Sequence, residues 1–237
     1  MLLLVTWNCD GKVNESFVAQ IITECEHEAE RREIKIEGRI ICIQETSRPA
    51  DKGDADKIGV EHKIETKFGR LNYEGVGTNK EDSGNQRCNT VVLWEEGKFT
   101  REGRSAEYKH NRYYECVKLK YSSHTFWVMS VHGPSGGPGN YGHNGTEIGK
   151  ALDDDVLEHF PLIAAGDMNC EPGNMVLNAG KRNPGSVIRP RQPTRIKSQK
   201  ELDFMVMYGG HAEFLKVACA GNVSDHCGVG FLVQPWT

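Results

Sequence analysis

The run Leu162 to Pro172, LIAAGDMNCEP, constrains the fold more than any other stretch of the chain. An apolar segment that stops at Gly-Asp-Met-Asn reads as a buried strand ending on a carboxylate and a carboxamide two positions apart. Residues two apart on an extended backbone share a face. In open α/β sheets, ligands bind outside the C-terminal ends of the strands. Asp167 and Asn169 on that edge suit a hard cation such as Mg2+, or a phosphate oxygen. A pair of this kind alone would more often be a turn former.

The same ending recurs along the chain. LLLVTWN, residues 2 to 8, is a strand-length apolar run ending on Asn8, and RIICIQE ends on Glu45. Between them, Phe17, Val18, Ile21, Ile22, Cys25 and Ala29 fall at helical spacing, so residues 15 to 32 read as a surface helix. Residues 46 to 70 are polar and charged and read as a long irregular connection. NTVVLWEEGKFTREG reads as a hairpin turning at Glu96-Gly97. Two further strands follow, RYYECVKLKY opening on Arg112 and TFWVMSVH closing on His132.

A Gly-rich loop, residues 133 to 145, lacks the spacing of a phosphate cradle and reads as a rim beside the site. Residues 146 to 158 read as a helix, with Ile148, Ala151, Leu152 and Val156 inward and Asp153 to Asp155 in solvent. Residues 181 to 200 hold seven Lys or Arg and no acid, a local cationic segment suited to a phosphate backbone. ELDFMVM carries Asp203, and Asp225-His226 precede the last apolar run.

Composition sets the frame for these elements. The 237 residues are 38% hydrophobic and 26% charged, without linker, low-complexity tract or repeat, so one domain over 1–237 is expected. A net charge of −4 argues against a general nucleic-acid field but leaves room for a local basic rim. The eight cysteines form no CxxC pair, and Cys9, Cys42, Cys116 and Cys170 sit in strand-like runs as reduced buried thiols. Cys219 and Cys227 could pair. Met1 to Val5 is too short for a signal peptide or a membrane span, which leaves a cytoplasmic protein or one whose leader was removed.

In order, the motifs TWN, IQE, RY, SVH, GDMN, LDFMV and SDH resemble the endonuclease/exonuclease/phosphatase superfamily over residues 5 to 230. SVHGPSGG, IAAGDMNCEP, QPTR and VSDH look most like the pancreatic-type deoxyribonucleases and the cytolethal distending toxin B subunits. EDSGNQR, residues 81 to 87, has a counterpart there too. The resemblance implies an α/β (α+β) architecture: a four-layer sandwich of two mostly antiparallel sheets flanked by helices.

The resemblance also implies roles. Asp203 would pair with His226, which activates water; His132 would contact phosphate or protonate the leaving group, and Asp167 and Asn169 would complete the catalytic set. Glu45, Asp225, Asn8 and Asp167 would line a Mg2+ site, with Mn2+ as substitute. Arg112, Asn8, Asn169 and Arg195 would bind substrate phosphate. Pancreatic-type enzymes orient the second histidine with a Glu where this chain has Gly84-Asn85-Gln86. An amide or a water would serve His132 instead.

Hydrolysis of a phosphodiester needs an activated water, a cation against the phosphoryl oxygens and help for the leaving alkoxide. Three functions fit the pattern: a monomeric endonuclease acting on DNA, a phosphatase for phosphoinositides or other phosphomonoesters, and a silent binding module. The full set of chemical side chains disfavours the last.

Overall fold

The computed structural model describes residues 1–11, 13–46, 62–66, 69–77, 89–109, 112–134, 145–146, 148–149, 152, 161–177 and 185–236. For 62–66, 69–77, 89, 104–109 and 112–113 it describes the backbone alone. In chain order the elements are β1 (Leu2–Gly11), α1 (Glu15–Arg31), β2 (Gly38–Thr46), β3 (His62–Thr66), β4 (Gly69–Gly77) and β5 (Asn89–Glu95). Next come β6 (Thr100–Lys109), β7 (Arg112–Tyr121), β8 (His124–His132) and β9 (Leu162–Asp167). The chain ends with β10 (Ser186–Ile188), β11 (Asp203–Tyr208), β12 (His211–Ala218) and β13 (Gly228–Gln234).

These strands form two sheets, ordered β12-β13-β1-β2-β5-β4-β3 and β10-β11-β9-β8-β7-β6. Only β1 with β2 and β8 with β9 pair in parallel among the described strands. Strand periodicity builds the layers. Leu2 and Leu4 point between the sheets, meeting Val128, Ile163, Met205 and Phe126. Leu3, Val5 and Trp7 point the other way, onto Phe17, Val18, Ile21 and Ile22 of α1. Asn14 caps that helix, its Oδ1 accepting from Phe17 N at 3.0 Å. The outer face of the second sheet, with Met129, Val131 and Ala164, is covered by Ile148 and Leu152. The architecture is therefore the expected sandwich of two mostly antiparallel sheets between helical layers.

Ala151, Val156 and Asp153 to Asp155 lie outside the described residues, as do 135–144 of the Gly-rich loop and all of 81–87.

Two local expectations need correction. β5 and β6 do not pair as a hairpin, because Phe99 is buried between the sheets and the turn at Glu96-Gly97 carries the chain from one sheet to the other. The polar region 46–70 is not all irregular. β3 pairs with β4, and β4 with β5, at one end of the first sheet, where backbone pairing needs little apolar pattern. β12, disguised by its mixed composition, pairs with β13 as the opposite edge strand. Gly209 and Gly210, at φ 75° and 79°, turn the chain from β11 to β12 and so join the two sheets.

Gly166 of the GDMN motif is fixed by close approach: a Cβ there would lie 1.9 Å from the Val131 carbonyl oxygen. Gly166→Ala should therefore cost about 2–4 kcal/mol in urea unfolding, since backbone must move rather than a side chain. A loss under about 0.5 kcal/mol would contradict that packing.

Candidate active site

One rim of the sandwich collects the polar strand ends. His132, the last residue of β8, is in register with Asp167, the last of β9, and Asp167 is in register with Asp203, the first of β11. Asn8 on β1 lies beside Gln44 on β2, one residue before Glu45. His226 stands two residues ahead of β13. Parallel strands ending there and antiparallel strands starting there bring together residues far apart in sequence.

The side chains converge on Asp167. Asn8 Nδ2 donates to Asp167 Oδ2 and to Glu45 Oε1, both at 3.0 Å. His226 Nε2 lies 3.7 Å and His132 Nε2 3.9 Å from the same Oδ2. His132 Nε2 is also 3.2 Å from Glu45 Oε1. On the far side of its ring, His226 Nδ1 meets Asp203 Oδ2 at 2.8 Å. Asp167, Asp203, His132 and His226 are all at most 3% exposed.

Local backbone aims these groups. Glu45 has φ 55° at an irregularity in both β2 ladders, and Asn169 has φ 48°. Left-handed conformations of this kind persist in a non-glycine residue only where the surroundings enforce them. Cys9 Sγ donates to the Glu45 carbonyl at 3.3 Å. Asn169 N donates to Asp167 Oδ1 and Asn169 Nδ2 to the Gly133 carbonyl, each at 2.8 Å. Asn169 thus shapes the turn after β9.

Burial and charge compete at each titrating group. Burial alone would raise the Glu45 carboxyl, but the hydrogen bond and charge of His132, together with Asn8 and His226, pull it down to about 2. Burial would lower the His226 imidazole, yet Asp203, Asp167 and Asp225 outweigh it and push it up to about 10. Burial holds the Asp203 carboxyl above its ordinary value against the pull of His226. A histidine raised in the folded state stabilises fully below its unfolded value of 6.5 and loses that contribution as the pH climbs through about 10. Thermal melts in EDTA should then show Tm falling from pH 6.5 to 10, with a shallower fall in His226→Gln. Equal slopes in the two proteins would contradict the charge assignment.

Two carboxylates facing one neutral amide form an oxygen-rich donor set that fits a hard divalent cation. Glu45, His132 and Asp167 offer ligand atoms within 4.8 Å of one another, and so do Asp167, Asp203 and His226. Glu45 and Asp167 would hold the ion. Asn8 turns its donor end to them while its Oδ1 accepts from Asp10 N at 3.1 Å, so it sets their spacing.

Asp225 also reaches the rim, its Oδ1 3.8 Å from His226 Nε2. Asp225 Oδ2 is taken up by Arg195 at 3.3 Å and Lys197 at 3.4 Å, and Asp225 falls outside both possible ligand groups. Arg195 lies at the rim, bridged in register to His226. Arg189 of the same basic segment pairs with Glu201, and Lys181 and Arg182 lie outside the described residues. Much of that segment's charge is thus neutralised locally. Arg112 opens β7, but its side chain lies outside the described residues, as do Gly84-Asn85-Gln86. His132 Nδ1 is buried with no partner among the described residues.

Sequence reasoning missed a set of buried polar supports. Gln44 Nε2 donates to Ser130 Oγ at 3.0 Å and Thr6 Oγ1 at 3.1 Å, stitching the sheets beneath the rim. Thr194 Oγ1 accepts from the N–H groups of Leu202 and Asp203. Thr194 sits within the PTR motif and Ser224 within SDH, so the signal was present as motif letters. Cys219 and Cys227 form a disulfide, while Cys9, Cys25, Cys42, Cys116 and Cys170 are buried free thiols.

Two sheets with this strand order recur in solved structures whose overall fold the chain shares. The chain superimposes on CdtB, the biologically active subunit of cytolethal distending toxin, with a TM-score of 0.60 at 18% identity, over 98% of both chains. A truncated TDP2 from Caenorhabditis elegans matches with a TM-score of 0.59 at 12% identity, over 98% of this chain and 97% of that one. An endonuclease/exonuclease/phosphatase family protein from Leptotrichia buccalis C-1013-b matches with a TM-score of 0.59 at 15% identity, over 99% and 100%. No protein-family model matches the chain, and no curated protein matches it by sequence. Among the described residues no helix is long and apolar enough to cross a membrane.

Proposed function

We propose that this protein is a divalent-metal-dependent phosphodiesterase that cuts DNA internally. The observation that carries the reading is the convergence of His132 and His226 Nε2 atoms, 3.9 and 3.7 Å away, on the one Asp167 oxygen that also faces Asn8 and Glu45. Acid, base and anion-binding groups then surround one space. The fold shared with CdtB and TDP2 supports the same class.

A bound Mg2+, or Mn2+ in its place, supplies charge against the phosphoryl oxygens. His226 Nε2 takes a proton from the attacking water, and Asp203 across the ring fixes the tautomer and stabilises the imidazolium. His132, beside Glu45, gives a proton to the departing oxygen. Arg195 and Lys197, paired with Asp225 at the rim, would meet a flanking phosphate.

Supercoiled plasmid incubated with Mg2+ should be nicked, and EDTA should abolish nicking. Phosphate release from inositol lipids without any nicking would replace this reading with a phosphomonoesterase on the same site.

A further inference from the structure

We infer that Ser224 is a positioning residue that ties the water-activating histidine to the metal-side strand. Past Thr6, paired with Val229, the ladder between β1 and β13 stops, so Asn8 has no strand partner on that side. Ser224 takes the place of one: its hydroxyl donates to the Asn8 carbonyl at 2.8 Å. The same oxygen accepts from His226 N at 3.0 Å. One hydroxyl thereby uses its single proton and one lone pair on the two halves of the site.

Apart from their common approach to Asp167, the two halves are anchored by different groups. Asn8 spaces Glu45 and Asp167 through its amide, and His226 is held through its ring by Asp203. Ser224 is 5% exposed, and a turn from Ala220 O to Val223 N and Ser224 N fixes its backbone. Removing the hydroxyl, as in Ser224→Ala, takes a hydrogen-bond partner from a buried carbonyl and a buried N–H together. The expected response is a shift of the 224–226 loop against β1, which displaces the imidazole from its water while leaving surface contacts to substrate intact.

The kinetic part of this inference rests on the proposed phosphodiesterase, and the placement part does not. In metal-free protein the downfield Nδ1 proton of His226, assigned by its absence in His226→Ala, reports the bond to Asp203. Ser224→Ala should broaden or shift that resonance, and should lower kcat on bis(p-nitrophenyl) phosphate about 10- to 100-fold with KM within twofold. A resonance identical to wild type overturns the inference, as does a kcat within twofold of wild type. If wild type hydrolyses no phosphate ester, the functional reading fails and the resonance alone decides the role of Ser224. Should Ser224→Ala not fold, hydrogen exchange of wild type decides: protection of the His226 amide matching β13 supports the bond, and exchange at the rate of an open loop overturns it.

Discussion

His226→Ala should lower kcat for phosphodiester hydrolysis by about 10²–10⁴-fold, the loss expected on removing a well-placed general base. The basis is its double contact: Nδ1 on Asp203 Oδ2 at 2.8 Å, and Nε2 facing Asp167 across 3.7 Å. Asp203→Asn should produce a loss of similar size, because an amide stabilises neither the charged ring nor one tautomer. The double variant should be little worse than either single one, since the pair works as a unit. Rate measurements on the three proteins check this, and additive losses would mean that the two residues act separately.

The second large effect couples metal to proton. An imidazole held near 10 is a poor base at neutral pH, because it is already protonated. Asp203, Asp167 and Asp225 hold it there, and of these Asp167 is also a ligand candidate. A divalent cation at Glu45 and Asp167 cancels charge that favours the imidazolium, so binding should expel about one proton at pH 8. Calorimetry in buffers of different ionisation enthalpy reads that number directly. Proton release close to zero would separate the metal from the base. With metal bound, the rate should rise with pH as His226 loses its proton.

The fold was legible because apolar runs of strand length each stop at a polar residue, and that pattern survives in a single sequence. Asn8, Glu45, His132, Asp167 and Asp203 could be found by their position at strand ends, and the structure brings them to one rim with His226. Asp225 could not be read this way. One of its oxygens lies 3.8 Å from His226 Nε2, while the other is taken up by Arg195 and Lys197, cations distant in sequence. The same pairing hid the partial neutralisation of the basic segment, since a count of charges carries no partners. The hairpin at Glu96-Gly97 misled because turn chemistry is local, whereas the burial of Phe99 between the sheets is not. Ser224 and Thr194 stood in the motif letters, but short hydroxyl side chains carry no periodic signal that would mark them as supports.

If a divalent ion and the His226 base share one carboxylate, Asp167, binding the ion must move the titration of His226. Histidine-selective NMR of His226, titrated with and without saturating Mg2+, tests it directly. In the metal-free protein the midpoint should lie near 10, fall to about 7 or below with Mg2+, and show no such fall in Glu45→Gln. A midpoint that stays the same when the metal binds would contradict it.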